Sequence, residues 1–295
     1  MAINKKVTDT MKELLSDPKN KIKLDDFITS HLKEFISATS IQNFPVQGAN
    51  VSQEEFLERM KQYEEITGDL QQIIILLTKW GNSEQITLLE KIFTRLSETD
   101  KGSSGLTIWI HFGWYPLQLL MYSAGISALS AKNFEALKII LHTSVPVSSA
   151  SGKRYPLVVP TATNLSDIGN SWKWIPSLEQ KYVPRSEHLF SILKEPIEDL
   201  LFLGESYEAL FDEFEIYFAL AYSEATGREW GPIGRFGWKH DRGVTESPFI
   251  QLLETAKTEG GNWGPLKAGF FNGSIDKFIK VAETFREQLN RLNWY

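Results

Sequence analysis

The chain reads as all-α: an irregular helical bundle or α-solenoid-like helix pairs, with two long irregular loops and room for a small β-hairpin. Three observations predict this. Apolar residues recur at three- and four-residue spacing through most of the chain. Recognisable helix-start signals precede several of those runs. The periodicity then breaks over two long stretches, 142–190 and 227–243.

Val7, Met11, Leu14 and Leu15 form a first helical stripe, stopped by Asp17 and Pro18, and Leu24, Phe27, Ile28, Leu32, Phe35 and Ile36 form a second. His31 shares that second stripe; with nothing nearby to complete a metal site, it reads as a core or boundary residue. Residues 41–50, with Pro45 and Gly48, read as a linker. The chain therefore divides into an amino-terminal helical arm and linker, 1–50, and a main helical domain, 51–295.

Ser52 can cap the next helix, with Glu55 closing a capping box and Val51 and Phe56 forming a hydrophobic staple. Phe56, Met60, Tyr63, Leu70, Ile73, Leu77 and Trp80 carry its apolar face to Gly81. Asn82 and Gln85 resemble a second capping box, ahead of Ile86, Leu89, Ile92, Phe93 and Leu96, so a helical hairpin is expected. Pro116 is placed to open a helix, apolar nearly all round through Leu129 and hence buried. The Lys132-Asn133 turn leads into Phe134, Leu137 and Leu141.

Residues 142–190 hold five prolines, a serine-rich run at Ser148 to Ser151, and Trp172 with Trp174. Irregular segments of that length are uncommon in compact domains and are usually functional or mobile. Ser148 to Lys153 is the expected proteolytic nick site. Helices resume at Ile197 to Leu203, continue through Leu210, Phe211, Phe214, Phe218 and Ala221, and end near Gly227. After the second loop a helix follows near Pro248 to Lys257. Gly273 and Ser274 then open a last one, with Ile275, Phe278, Ile279, Ala282, Phe285, Leu289 and Leu292 on one face.

The absence of cysteine excludes disulfides, thiolate metal sites and a cysteine nucleophile, and fits a reducing compartment. The polar amino terminus holds no secretory pattern and no apolar run is long enough to cross a bilayer, so a cytoplasmic protein without membrane contact is expected. With 31 basic against 37 acidic residues and a net charge of -6, the surface as a whole is not built to hold nucleic acid.

Chemistry-bearing motifs fail one by one. Lys153 follows Ser151-Gly152, but Val147 stands where a phosphate loop needs glycine and Arg154 where it needs Ser or Thr. Gly231, Gly234 and Gly237 follow no strand and make no dinucleotide fingerprint; they read as backbone freedom in an aromatic turn. The histidines at 31, 111, 142, 188 and 240 have no zinc spacing, and no serine lies in a nucleophile elbow. Glu54, Glu55 and Glu58, and Asp212, Glu213 and Glu215, read as solvated faces or first-turn charges. No catalytic residue, metal ligand or cofactor is assigned.

The best candidate site is the basic aromatic loop: Arg228, Trp230, Arg235, Trp238, Lys239, His240 and Arg242. Arginine forks on phosphate oxygens and rings on π-faces suit a nucleotide or the bases of a single strand. The structural reading sets those cations against nearby acids such as Asp212 and Glu213, with the rings filling a core under the loop.

Three segments carry a resemblance: Tyr63-Glu64-Glu65-Ile66, Tyr115 to Ile126, and Trp263 to Ser274. They resemble helical carboxyl-terminal regions of large bacterial proteins of the antiphage-defence type, in which an effector domain precedes the helices. The likeness spans about 51–142 and 228–295, and it carries over no catalytic residue. It implies a non-enzymatic recognition or sensor subunit of a bacterial defence complex whose effector is a separate protein partner. The alternatives are a hydrolase acting on a nucleotide or nucleic acid, with its site between the two irregular loops, and a phage or structural interaction protein.

Overall fold

A computed structural model describes residues 3–146, 152–241 and 247–292. Its helices are α1 (Lys5–Ser16), α2 (Lys21–Ala38), α3 (Gln53–Trp80), α4 (Thr87–Ser97), α5 (Thr107–Phe112), α6 (Tyr115–Ser130) and α7 (Phe134–His142). A two-stranded antiparallel hairpin follows, β1 (Ser144–Pro146) with β2 (Arg154–Pro156), Val145 opposite Tyr155. Then come α8 (Val158–Asp167), a 3₁₀ turn at Gly169–Trp174, α9 (Pro184–Leu201) and α10 (Ser206–Thr226). The chain continues through α11 (Phe236–Asp241), α12 (Pro248–Glu259), α13 (Gly264–Lys267) and α14 (Ile275–Arg291). The fold is all-α with a small β-hairpin, and among the described residues no helix is long and apolar enough to cross a membrane.

The helix behind Pro116 is the axis of the bundle. Every residue of α6 from Tyr115 to Leu129 is buried, as its uniform apolarity requires, because α3, α7, α9 and α10 all pack on it. Two of its polar side chains find partners on α3: Gln71 Nε2 donates to Ser123 Oγ at 2.8 Å, and Ser127 Oγ donates to the Ile75 carbonyl at 2.8 Å, while both amide atoms of the buried Gln118 have no hydrogen-bond partner. Gly125 admits α10 to close range, since a Cβ there would sit 1.9 Å from the Phe214 ring. The amino-terminal α1 and α2 rest on α3, and α11, α12 and α14 form a layer on the other side of α10.

The Asn82–Gln85 box forms as expected, whereas at Ser52 only the cap itself is made. Ser52 Oγ accepts from the Glu55 N–H at 3.1 Å, while the Glu55 carboxylate turns to Arg59. The reciprocal Asn82–Gln85 bonds form at 2.9 Å each, one turn before α4 begins. Three readings need correction. Trp80, counted in the apolar stripe of α3, is 61% exposed at the helix end. Residues 142–190 contain not only the hairpin but α8, whose Val158, Val159 and Leu165 are buried. Finally, α9 begins at Pro184, not Ile197, and continues through Pro196, whose ring interrupts the periodicity without ending the helix. The expected nick site overlaps 147–151, which lies outside the described residues.

Candidate functional site

Where α9 begins, α8, α10 and the loop after Gly227 converge on a cavity of about 320 Å³. Pro184 opens α9 at its first position, where its missing N–H costs nothing, and so places Arg185 and Ser186 in the first turn facing α10. From α10 comes Glu215, and from α6 Tyr122.

Glu215 is 3% exposed and ties the site together. Its Oε1 accepts from Ser186 Oγ at 2.7 Å and from the Tyr122 hydroxyl at 3.2 Å, and its Oε2 accepts from the Arg235 N–H at 2.8 Å. Burial pushes its carboxyl up to about 7 against the pull of these donors, and the nearby Asp212 adds to the rise. Burial, with Glu215 beside it, holds the Tyr122 phenol well above its ordinary range. Gly234 lies flat on the carboxylate: a Cβ there would fall 2.0 Å from Oε2. Its glycine is needed for this close approach and not for a positive φ, which neither Gly231 nor Gly234 adopts.

Arg185 lines the same cavity, and its Nη1 is buried with no hydrogen-bond partner. Its guanidinium lies 5.8 Å from the Trp172 ring. Burial draws its pKa down, while Tyr122 and Glu215 draw it back up. At the mouth stand Tyr182, 61% exposed, and Trp230, 45% exposed, two of the few large apolar side chains left in solvent among the described residues. Trp172 is fixed by its own Nε1–H, which donates to the Leu165 carbonyl at 3.0 Å. Under Trp172 lies Tyr115, whose hydroxyl shares Glu64 Oε1 with His188 Nε2, both at 2.7 Å.

The basic aromatic loop is split by this geometry. Trp230 reaches the cavity and Arg228 is exposed. Arg235 is 8% exposed, with Glu187 3.1 Å and Glu208 3.4 Å away, and its guanidinium lies over Phe190 at 3.5 Å. Lys239 bonds Glu208 at 2.6 Å and also Asp212. His240 bridges Ser247 Oγ at 2.8 Å and Asn290 Oδ1 at 2.9 Å. Trp238 lines a neighbouring cavity, and Arg242 lies outside the described residues.

The expectation of an exposed cationic strip is thus corrected: Arg235 and Lys239 are partners of carboxylates on α9 and α10. Asp212 and Glu215 are likewise no solvated face, being 1% and 3% exposed. Burial raises Asp212 despite Lys239, whereas the Lys239 hydrogen bond is the main cause holding Glu208 below its usual range. Glu213, named as a possible partner, faces elsewhere and is pushed up to about 7 by burial, opposed by Lys132. Sequence reading missed Arg185, Ser186, Tyr122 and Glu215. The one local signal was Val183-Pro184 at a helix start, hidden by Pro196 downstream.

Fold and site together define an all-α protein with a polar cavity under an aromatic mouth. No family model, curated protein or solved structure matches the chain.

Proposed function

We propose that this chain is a helical recognition protein whose cavity takes a small planar molecule bearing an anionic group, a mononucleotide being the class that fits. The carrying observation is Arg185: a guanidinium nitrogen buried without a partner on the wall of a cavity rimmed by tryptophan and tyrosine. A phosphate would satisfy it with two parallel bonds, and Lys173 on the same wall adds charge. The rings of Trp172, Tyr182 and Trp230 offer π-faces to a base. The size falls at the small end of ligand sites. In this reading the ligand-bound state is the signal that a separate effector chain receives.

The test is a titration of the full chain with AMP, GMP and inorganic phosphate, followed by calorimetry and thermal melting. A nucleotide at a hundred times its Kd should stabilise the fold by about 2.7 kcal/mol. Arg185→Lys should lose most of the binding, because lysine cannot reproduce the fork. No shift with any nucleotide would end this reading.

A nucleotide hydrolase is the competing reading, and one observation favours it: Glu215 is held at about 7, where a general base works. Its two oxygens already take three donors, which suits a keystone better than a base. Phosphate release from AMP that vanishes in Glu215→Gln would establish hydrolysis instead.

A further inference from the structure

A second cavity, of about 390 Å³, lies beside the first and shares two wall residues with it, Tyr182 and Val183. The segment that carries them enters α9 and forms the partition. On the far side stand Arg235, Trp238 and Lys181. The charged lining there is Lys181 and Arg235 against Glu187 alone, a positive balance in an acidic protein. The repeat of chemistry is what matters. Each cavity has an arginine whose Nη1 is buried without a hydrogen-bond partner, and each has a tryptophan wall. Arg235 is itself 8% exposed, so its unsatisfied nitrogen carries a desolvation cost that a bound oxygen would remove. The two arginines are linked through neighbouring residues: the main-chain N–H of Arg235 donates to the side-chain hydroxyl of Ser186, the residue after Arg185, at 2.9 Å.

We propose that the second cavity is a subsite of the first and that the ligand is a linear dinucleotide, one unit on each side of the Tyr182–Val183 partition. This rests on the reading of the first cavity as a mononucleotide site. One base stacks among Trp172 and Trp230 and the other on Trp238. Arg185 and Arg235 meet the phosphates, and the diester link crosses the exposed Tyr182.

Calorimetric titration of the full chain with AMP and with the 5′-phosphorylated diadenylate pApA tests this. The dinucleotide should bind about tenfold or more tighter, the worth of one further stacked base. Lys181→Glu, at an exposed position that leaves the fold intact, and Trp238→Ala should each remove most of that advantage while leaving AMP affinity within about twofold. Equal affinity for AMP and pApA in the unsubstituted protein overturns the second subsite and leaves the first untouched. So does an equal loss of both ligands in Lys181→Glu. If neither compound binds, both readings fall together.

Discussion

The α3–α6 pair and the Glu215 carboxylate at the cavity are both buried, yet they are encoded in opposite ways. Between α3 and α6 the contact is a stripe: Leu70, Ile73, Ile74 and Leu77 on one helix and Leu119, Leu120 and Ile126 on the other are all essentially without solvent, and the polar Gln71, Ser123 and Ser127 are tied by hydrogen bonds across it. The cavity wall instead hangs on one carboxylate. Glu215 gathers donors from residues 20, 29 and 93 positions away, on a loop, a helix start and a central helix. A stripe tolerates local error because its dispersion energy is spread over many contacts. A buried polar hub does not, because each lost partner leaves a desolvated group behind.

The largest test of that contrast pairs two glycines. Gly125→Ala forces a methyl from the apolar α6 into the Phe214 ring of α10, among buried apolar side chains, and should cost about 1–3 kcal/mol or more in chemical denaturation. Gly234→Ala forces the same methyl into the Glu215 carboxylate, which can yield only by dropping its donors. Those donors would be left desolvated, so the stability loss should exceed that at Gly125, and ligand binding should disappear. Equal stability losses with binding retained would erase the distinction between hub and stripe.

The next effect is on pH dependence. Burial raises Glu213 and Glu215 from an ordinary 4.5 to about 7. The folded chain therefore holds protons that the unfolded chain has released between about pH 4.5 and 7, and stability falls as pH rises through that window. Below it both states are protonated and the contribution is fully present. Glu208 and Glu224, held low by their hydrogen bonds, act the opposite way only at more acid pH. The melting temperature should drop between about pH 4.5 and 7, and Glu215→Gln, which cannot ionise, should flatten the drop. A protein whose stability stays flat over that range would show that the carboxylates are solvated after all.

This contrast also explains what the sequence disclosed. The capping pair Asn82–Gln85, the buried α6 and the amphipathic α14 all rest on spacing within one segment, so the residues announced them. Reading failed where the cause is distant. Asp212 and Glu215 sit in a run of acids on α10 that looks like a solvated face. Only the loop carrying Gly234, Arg235 and Lys239, folded back over them, makes burial possible. Arg185 was hidden because Pro196, six residues short of the α9 cap, suggested that the helix had not yet begun. Part of the basic aromatic loop does reach a cavity, through Trp230 and Trp238, but Lys239 is spent on carboxylates and Arg235, beside Glu187 and Glu208, keeps its Nη1 without a hydrogen-bond partner.

The smallest expected effect on stability is the most informative about the site. Trp230 is 45% exposed at the cavity mouth, and its aromatic contact is an edge-on approach to Tyr222 at 6.4 Å. A half-exposed ring of this kind returns much of its area to water already, so Trp230→Ala should shift folding stability by about 0.5 kcal/mol or little more. If the ring is instead there to cover a ligand base, the same change should weaken nucleotide binding by roughly 1–3 kcal/mol, the range for a lost stacking partner. The two quantities come from one protein sample, by denaturation and by titration. Their ratio decides between packing and binding: a large stability loss comparable to Gly125→Ala, with affinity unchanged, would make Trp230 a lid on the hydrophobic core. A silent denaturation curve with a weakened ligand would place the recognition surface at the mouth.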